Sequence, residues 1–289
     1  MSRRSLDRTG WFWVPVGLGL PIGTGLVGGC DSSMVIGELA PPGGDQGAAA
    51  GSPAPGSDDG GSAGTAPVVA EWSADHETGD LSQWRAGGDD AGGYFDMLNA
   101  SKELSTDYAR SGNYSVRLTV EPASETAHSK LYRHHLPAEA YYSIWYYLPR
   151  VYEVPDWWGL MAFGGAVDDD PGDLVSGLSL NVYSPSEGTL TFYVWDHILS
   201  QHIDMAVPTE VPVGRWFQVE AFFRNAVDET GRITFWLDGE PVLDLQDIRT
   251  SAEGTYLRWT VGSWGQEATP LPVVLYLDDA AVSATRIGP

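Results

Sequence analysis

Two short alternating runs carry the side chains with which this chain could do chemistry. Between Thr189 and His197, the residues Thr191, Tyr193, Trp195 and His197 fall on one side of an extended strand, with Leu190, Phe192 and Val194 on the other. The apolar set is expected in a core. The other set faces outward, where rings can stack on the C–H faces of sugars and polar tips can bond their hydroxyls. From His128 to His134 the same period gathers His128, Lys130, Tyr132 and His134 into a polar groove that holds a cation. Asn181 and Tyr183, on a neighbouring run, are further candidates for ligand contact. Tyr141, Trp145 and Tyr147 form another aromatic row, for which sugar stacking and core packing are both open. Phe217, Val219, Ala221 and Phe223 read as core, leaving Glu220 on the opposite face as a candidate polar ligand.

The elements that must position these residues are strands. After Pro67 the apolar period is two, broken by turn clusters, and no segment shows a long helical stripe. Strands are expected near 68–73, 92–99, 113–121, 128–135, 139–148, 158–164, 177–184, 189–197, 202–207, 216–225, 232–238, 256–263 and 272–284. Turns fall at 184–188 and 228–231, with a tight one at Asp238-Gly239. The 35 glycines, 19 prolines, 12 tryptophans and 13 tyrosines in 289 residues suit an all-β sandwich of one domain over 68–289.

The formal net charge of −23 excludes a nucleic-acid partner, which would need a basic footprint. The same field favours neutral glycans over polyanionic ones, unless a local cluster such as Lys130, His128 and His134 reverses it. A single cysteine, Cys30, excludes an internal disulfide. There is no His-Glu-x-x-His pair, cysteine-based zinc pattern or phosphate loop, and no organic cofactor is expected.

Residues 1–30 read as an export signal: Arg3, Arg4 and Arg8, then the uncharged run from Trp11 to Gly29, then Cys30. Val27-Gly28-Gly29-Cys30 resembles the lipobox of bacterial lipoproteins, in which the cysteine is lipidated after cleavage, and Ser2-Arg3-Arg4-Ser5-Leu6 resembles the start of a twin-arginine signal. Residues 31–67 are Gly, Ala, Ser, Pro and Asp with hardly an apolar cluster, so a disordered tether is expected. The expectation is an exported bacterial protein, periplasmic or at the cell surface, monomeric and touching the membrane through its lipid anchor alone.

The order of pieces within the domain carries a resemblance. It runs from His76-Glu77-Thr78-Gly79-Asp80-Leu81 and Gln83-Trp84 through Ser111-Gly112-Asn113-Tyr114-Ser115 and Tyr146-Tyr147-Leu148-Pro149. Gly214-Arg215-Trp216-Phe217, Gly231-Arg232-Ile233-Thr234-Phe235-Trp236-Leu237-Asp238-Gly239 and Tyr276-Leu277-Asp278-Asp279 follow. The layout resembles concanavalin A-like jelly rolls, especially the heparin-lyase-type and alginate-lyase-type polysaccharide lyases. The resemblance implies β-elimination at a uronic acid, in which one side chain neutralises the carboxylate, a base takes the adjacent proton and usually a tyrosine protonates the leaving oxygen. Lys130, His197 and Tyr193 are the residues this chain could bring to it.

Two departures weigh against that chemistry. His128-Ser129-Lys130-Leu131-Tyr132 stands where the alginate-lyase-like branch carries Arg-Ser-Glu-Leu-Arg, and Gly159-Leu160-Met161-Ala162-Phe163-Gly164 lacks the usual Gln and His. Nor does any strand show the Glu-x-Asp-x-x-Glu pattern of retaining hydrolases on this fold. The leading expectation is therefore a lectin-like polysaccharide-binding protein, with a polysaccharide lyase as the alternative and a protein-binding adhesion or scaffold domain as a third reading. The resemblance also implies a structural Ca²⁺ held by Glu77 and Asp278.

Overall fold

The computed structural model describes residues 71–88, 91–96, 99–121, 126–166 and 176–289. The expected export signal with Cys30 and the expected tether over 31–67 lie outside the described residues.

The chain forms two antiparallel sheets. The front sheet has seven strands in the order β10 (Gln201–Asp204), β9 (Thr191–Asp196), β8 (Leu178–Tyr183), β7 (Trp158–Ala166), β14 (Tyr256–Gly265), β5 (Ala127–His134) and β2 (Gly92–Asp96). The back sheet runs β13 (Glu240–Ile248), β12 (Gly231–Leu237), β11 (Trp216–Arg224), β6 (Glu139–Tyr147), β15 (Val273–Ser283), β4 (Ser115–Val120) and β3 (Ala100–Ser105). An eighth strand, β1 (Trp72–Ala74), joins the back sheet at the far end of β15, pairing with Ala280 to Val282 where β4 has ended. A 3₁₀ turn, Ser82–Arg85, follows β1. This is the all-β sandwich expected from the alternation.

The inward faces of the two sheets make the core. Leu190, Phe192 and Val194 are buried there from the front, and Phe217, Val219, Ala221 and Phe223 from the back. Phe163 of β7 stacks on Phe223 of β11 with centroids 4.7 Å apart, and Tyr142 of β6 meets Trp259 of β14 at 5.3 Å. Rings of this size interlock the sheets, and the Tyr146 hydroxyl of β6 donates to the Leu160 carbonyl of β7 at 2.8 Å across the same core.

Glu220 is a correction to the sequence reading. It lies on the outer face of the back sheet, as the alternation required, but it is fully buried beneath the C-terminal tail and does not join the front-sheet residues. Its carboxylate accepts from Ile287 N at 2.6 Å and Arg286 Nε at 3.2 Å, while Gln218 beside it donates to the Gly288 carbonyl at 2.6 Å. Glu220 is a clamp for the tail, a use that strand periodicity cannot reveal. Glu220→Gln is expected to cost about 1–3 kcal/mol, because the donors keep one acceptor oxygen but lose its charge and the second oxygen. Urea unfolding and carboxypeptidase digestion would read this; an unchanged midpoint with an uncleaved tail would show that the clamp contributes nothing.

Candidate functional site

The register of the front sheet sets side chains out in rows on the face turned away from the core. One row holds Tyr132, Thr260, Ala162, Ser179, Trp195 and His202. The next holds His128, Trp264, Gly159, Asn181, Tyr193 and Asp204. Lys130 lies between the rows opposite Gly262, and His134 faces Arg258. The sheet thus brings together nearly all the candidates read from sequence: His128, Lys130, Tyr132 and His134 from β5, Asn181 and Tyr183 from β8, Tyr193 and Trp195 from β9. The middle strand, β7, presents Gly159 and Ala162, so the missing polar pair seen in the sequence is a real feature of the surface.

At the β8–β9 end, a line of hydrogen bonds joins two titratable groups. The His197 Nε2 lies 3.0 Å from Ser179 Oγ, which also accepts from Asn181 Nδ2 at 3.2 Å. Asn181 in turn hydrogen-bonds Tyr193. Strand β9 ends at Asp196, whose carboxylate accepts from the Ile198 and Leu199 amides and so turns the chain just past His197. Tyr193 is fixed on its other side by His202, whose ring lies 4.2 Å away and 1° from parallel, and His202 is itself 2.9 Å from Asp204. Tyr183 meets both rings edge-on at 5.5 and 5.7 Å.

The environments push these two groups in opposite directions. Burial raises the Tyr193 phenol to about 12, against the lowering effect of the Asn181 hydrogen bond. Burial lowers the His197 imidazole, Asp196 opposes that shift, and the positive charge of Lys130 adds to it. At neutral pH the pair is therefore a neutral base beside a protonated acid, the division of labour that proton-transfer sites show.

The same shift carries a stability consequence. Because the folded pKa of His197 is depressed, the unfolded chain binds the proton first as pH falls, so stability is full above the unfolded value and declines below it, levelling off once the folded ring protonates. His197→Gln is expected to remove that acid-side decline. Unfolding midpoints measured through the range below pH ~6.5 would check it; parallel curves for the two proteins would sink the idea.

Arg258, Ser179, Trp264 and His202 were not singled out from sequence. Arg258 is buried on the site face. The signal was there: in β14, Tyr256, Arg258 and Thr260 alternate with Leu257, Trp259 and Val261. Together Arg258 and Lys130 place two cations on this face of an acidic chain. At the β5 end, His134 sits between Tyr132 and Tyr256 with centroids 4.7 and 4.9 Å away.

The expected calcium ligands do not form a calcium shell. Glu77 accepts from Asn113 N, Asn113 Nδ2 and Tyr114 N, at 2.8, 3.1 and 2.7 Å. Asp278, fully buried, faces His76 Nδ1 at 3.2 Å and accepts from Arg110 N and Asp279 N, both at 2.9 Å. Both carboxylates meet nitrogen groups, whereas calcium needs six or more oxygens. No three His, Cys, Asp or Glu side chains among the described residues converge as a metal site. As placed, these residues fit turn capping and do not fit a cation.

A seven-stranded face of aromatic, amide and cationic side chains on a two-sheet sandwich defines a concanavalin A-like protein, the fold expected from the order of its sequence pieces. The family model for polysaccharide lyases matches residues 76–281, and the chain belongs to that family. Among solved structures, it is similar to the endo-β-1,4-glucuronan lyase of the fungus Trichoderma reesei at 15% identity and a TM-score of 0.56, covering 75% of this chain and 96% of that one. It is also similar to the cellulose-induced protein Cip1 (14%, 0.53, 76% and 100%) and to a marine alginate lyase from Aplysia kurodai (14%, 0.50, 75% and 100%). At these identities the structural likeness speaks for the fold. A comparison with curated proteins finds no match.

Proposed function

We propose that this protein is a polysaccharide lyase that cleaves a uronic-acid polymer by β-elimination. The observation that carries the reading is the pair His197 and Tyr193, shifted in opposite directions and joined through Ser179 and Asn181. Family membership favours it over the lectin-like reading that the sequence departures had suggested.

Lys130, backed by the positive charge of Arg258 buried on the same face, neutralises the substrate carboxylate, which makes the C5 proton acidic. His197 takes that proton, the released electron pair forms the C4–C5 double bond, and the C4–O glycosidic bond breaks. Tyr193 gives its proton to the leaving oxygen, and exchange with solvent restores both groups. Trp195 offers a partly exposed ring on the same face for sugar stacking. Lys130 and Arg258 put positive charge on this face of an otherwise acidic chain, which favours a polyanion there.

The test is incubation of the full chain with glucuronan and with alginate while following the ultraviolet absorbance of an unsaturated uronate. A rising signal supports the reading. Binding to either polymer with no such product would return the protein to a lectin-like role.

We propose further that the protein is exported and lipidated at Cys30, on the strength of the lipobox-like Val27-Gly28-Gly29-Cys30 and the arginines before it. Cys30→Ser is expected to move it from the membrane fraction of a bacterial host to a soluble fraction. Unchanged membrane recovery would reject the anchor.

A further inference from the structure

We propose that Trp264 is a positioning residue that seats the Lys130 ammonium over the site, and that Gly159 exists as glycine to admit its ring. The proposal rests on the lyase reading for the use made of Lys130, but its geometry stands apart from it.

Three local features build the seat. Strand β14 carries a bulge between Val261 and Trp264, where its register against β7 shifts. Gly262, at φ +156°, occupies that bulge opposite Lys130, and a Cβ there would come within 3.3 Å of Lys130 Cγ and 2.4 Å of the Ser129 carbonyl oxygen. Only a residue without a side chain lets the lysine stem lie so close. Beneath the bulge, the core-side Ser263 Oγ accepts from Trp158 Nε1 at 2.9 Å, pinning the distortion from inside.

The bulge turns Trp264 across the middle strand. Its indole lies directly on Gly159, where an added Cβ would be 2.2 Å from Cε2 and 2.3 Å from Nε1. Trp264 is largely buried in this position, and the Lys130 Nζ rests 4.9 Å above its ring. An ammonium over an indole face is attracted by the ring quadrupole, and the attraction grows as water is removed. The apolar strand β7, which looked in the sequence like a lost catalytic strand, thus has another use: its Gly159 is the floor on which the cation's seat is laid.

The test combines a measurement that needs no substrate with one that does. The ring current of Trp264 should shift the NMR signals of the Lys130 ε-methylene upfield in the full-length protein. Trp264→Leu and Gly159→Ala should both abolish that shift, the first by removing the ring and the second by lifting it, while Trp264→Phe should retain part of it. In uronate-polymer cleavage, kcat should fall about tenfold in Trp264→Leu and Gly159→Ala and recover partly in Trp264→Phe, with KM changed less. Lys130 signals that are unmoved by Trp264→Leu or Gly159→Ala in a folded protein would overturn the proposal. If the wild type shows the shift but cleaves nothing, the seat stands and it is the lyase reading that has failed.

Discussion

Replacing Tyr193 by Phe is expected to lower turnover of a uronate polymer by about 10²–10⁴-fold while leaving the fold and polymer binding nearly intact. The ring itself is structural: it stacks on His202 and meets Tyr183, and Phe keeps both contacts. What Phe removes is the hydroxyl, held protonated by burial and aimed through Asn181 at the line leading to His197. If the leaving oxygen departs without a proton, its expulsion as an alkoxide is slow. Initial rates of unsaturated-uronate formation, with circular dichroism as the control for folding, decide the matter. Turnover within a few-fold of wild type would remove Tyr193 from the chemistry.

Asp278→Ala is expected to destabilise the protein by about 3–5 kcal/mol, the range for removing one partner of a buried polar pair. Asp278 has no exposure to solvent and holds three things at once: the His76 imidazole, the Arg110 amide and the amide of Asp279. His76 passes the constraint on, because its Nε2 accepts from the buried Trp84 indole at 3.1 Å, which leaves Nδ1 to carry the proton toward Asp278. Removing the carboxylate leaves buried donors unpaired on two segments and loosens the anchor of a core tryptophan. Asp278→Asn, which keeps one acceptor oxygen, should lose less. Urea midpoints rank the variants, and a midpoint for Asp278→Ala at or near wild type would contradict the account. Chelation of calcium is expected to leave the wild-type midpoint unmoved; a clear fall would mean that Glu77 and Asp278 turn their oxygens to a cation after all.

Alternation made the faces of strands legible but not the sheet to which each strand belongs. Tyr193 and Trp145 have equally clear outward positions in the sequence, yet Trp145 lies on the back sheet under Arg110, at 4.1 Å, far from the rows that carry Tyr193. Glu220 was misread for the same reason, since nothing local announces that the last residues of the chain will fold over it. The two strands that the sequence did not disclose, β3 and β13, are the edges of the back sheet. An edge strand buries little, tolerates Pro241 and carries charges such as Lys102, Glu103 and Asp247, so its apolar period is weak. Within the site, β9 was visible because its polar and apolar residues alternate, and β5 because His128, Lys130, Tyr132 and His134 recur with a period of two. Trp264 keeps the period-two face of Arg258 and Thr260 but lies just past the strand expected over 256–263, and nothing local announces the shift of register against β7 that lays its ring on Gly159.

Strand β15 has one more consequence, for the order in which the protein can be made. It lies inside the back sheet between β6 and β4, and its far end supplies the pairing edge for β1, yet it follows every other described strand in the sequence. A ribosome releases the amino-terminal strands first, and until Val273–Ser283 emerges β1 and β4 have no central neighbour and β6 has a bare edge. Such distant pairings form slowly and expose strand edges while they wait. The back sheet therefore closes only after Val273–Ser283 has been made, and a truncation that removes this strand should give an aggregating chain rather than a smaller folded one.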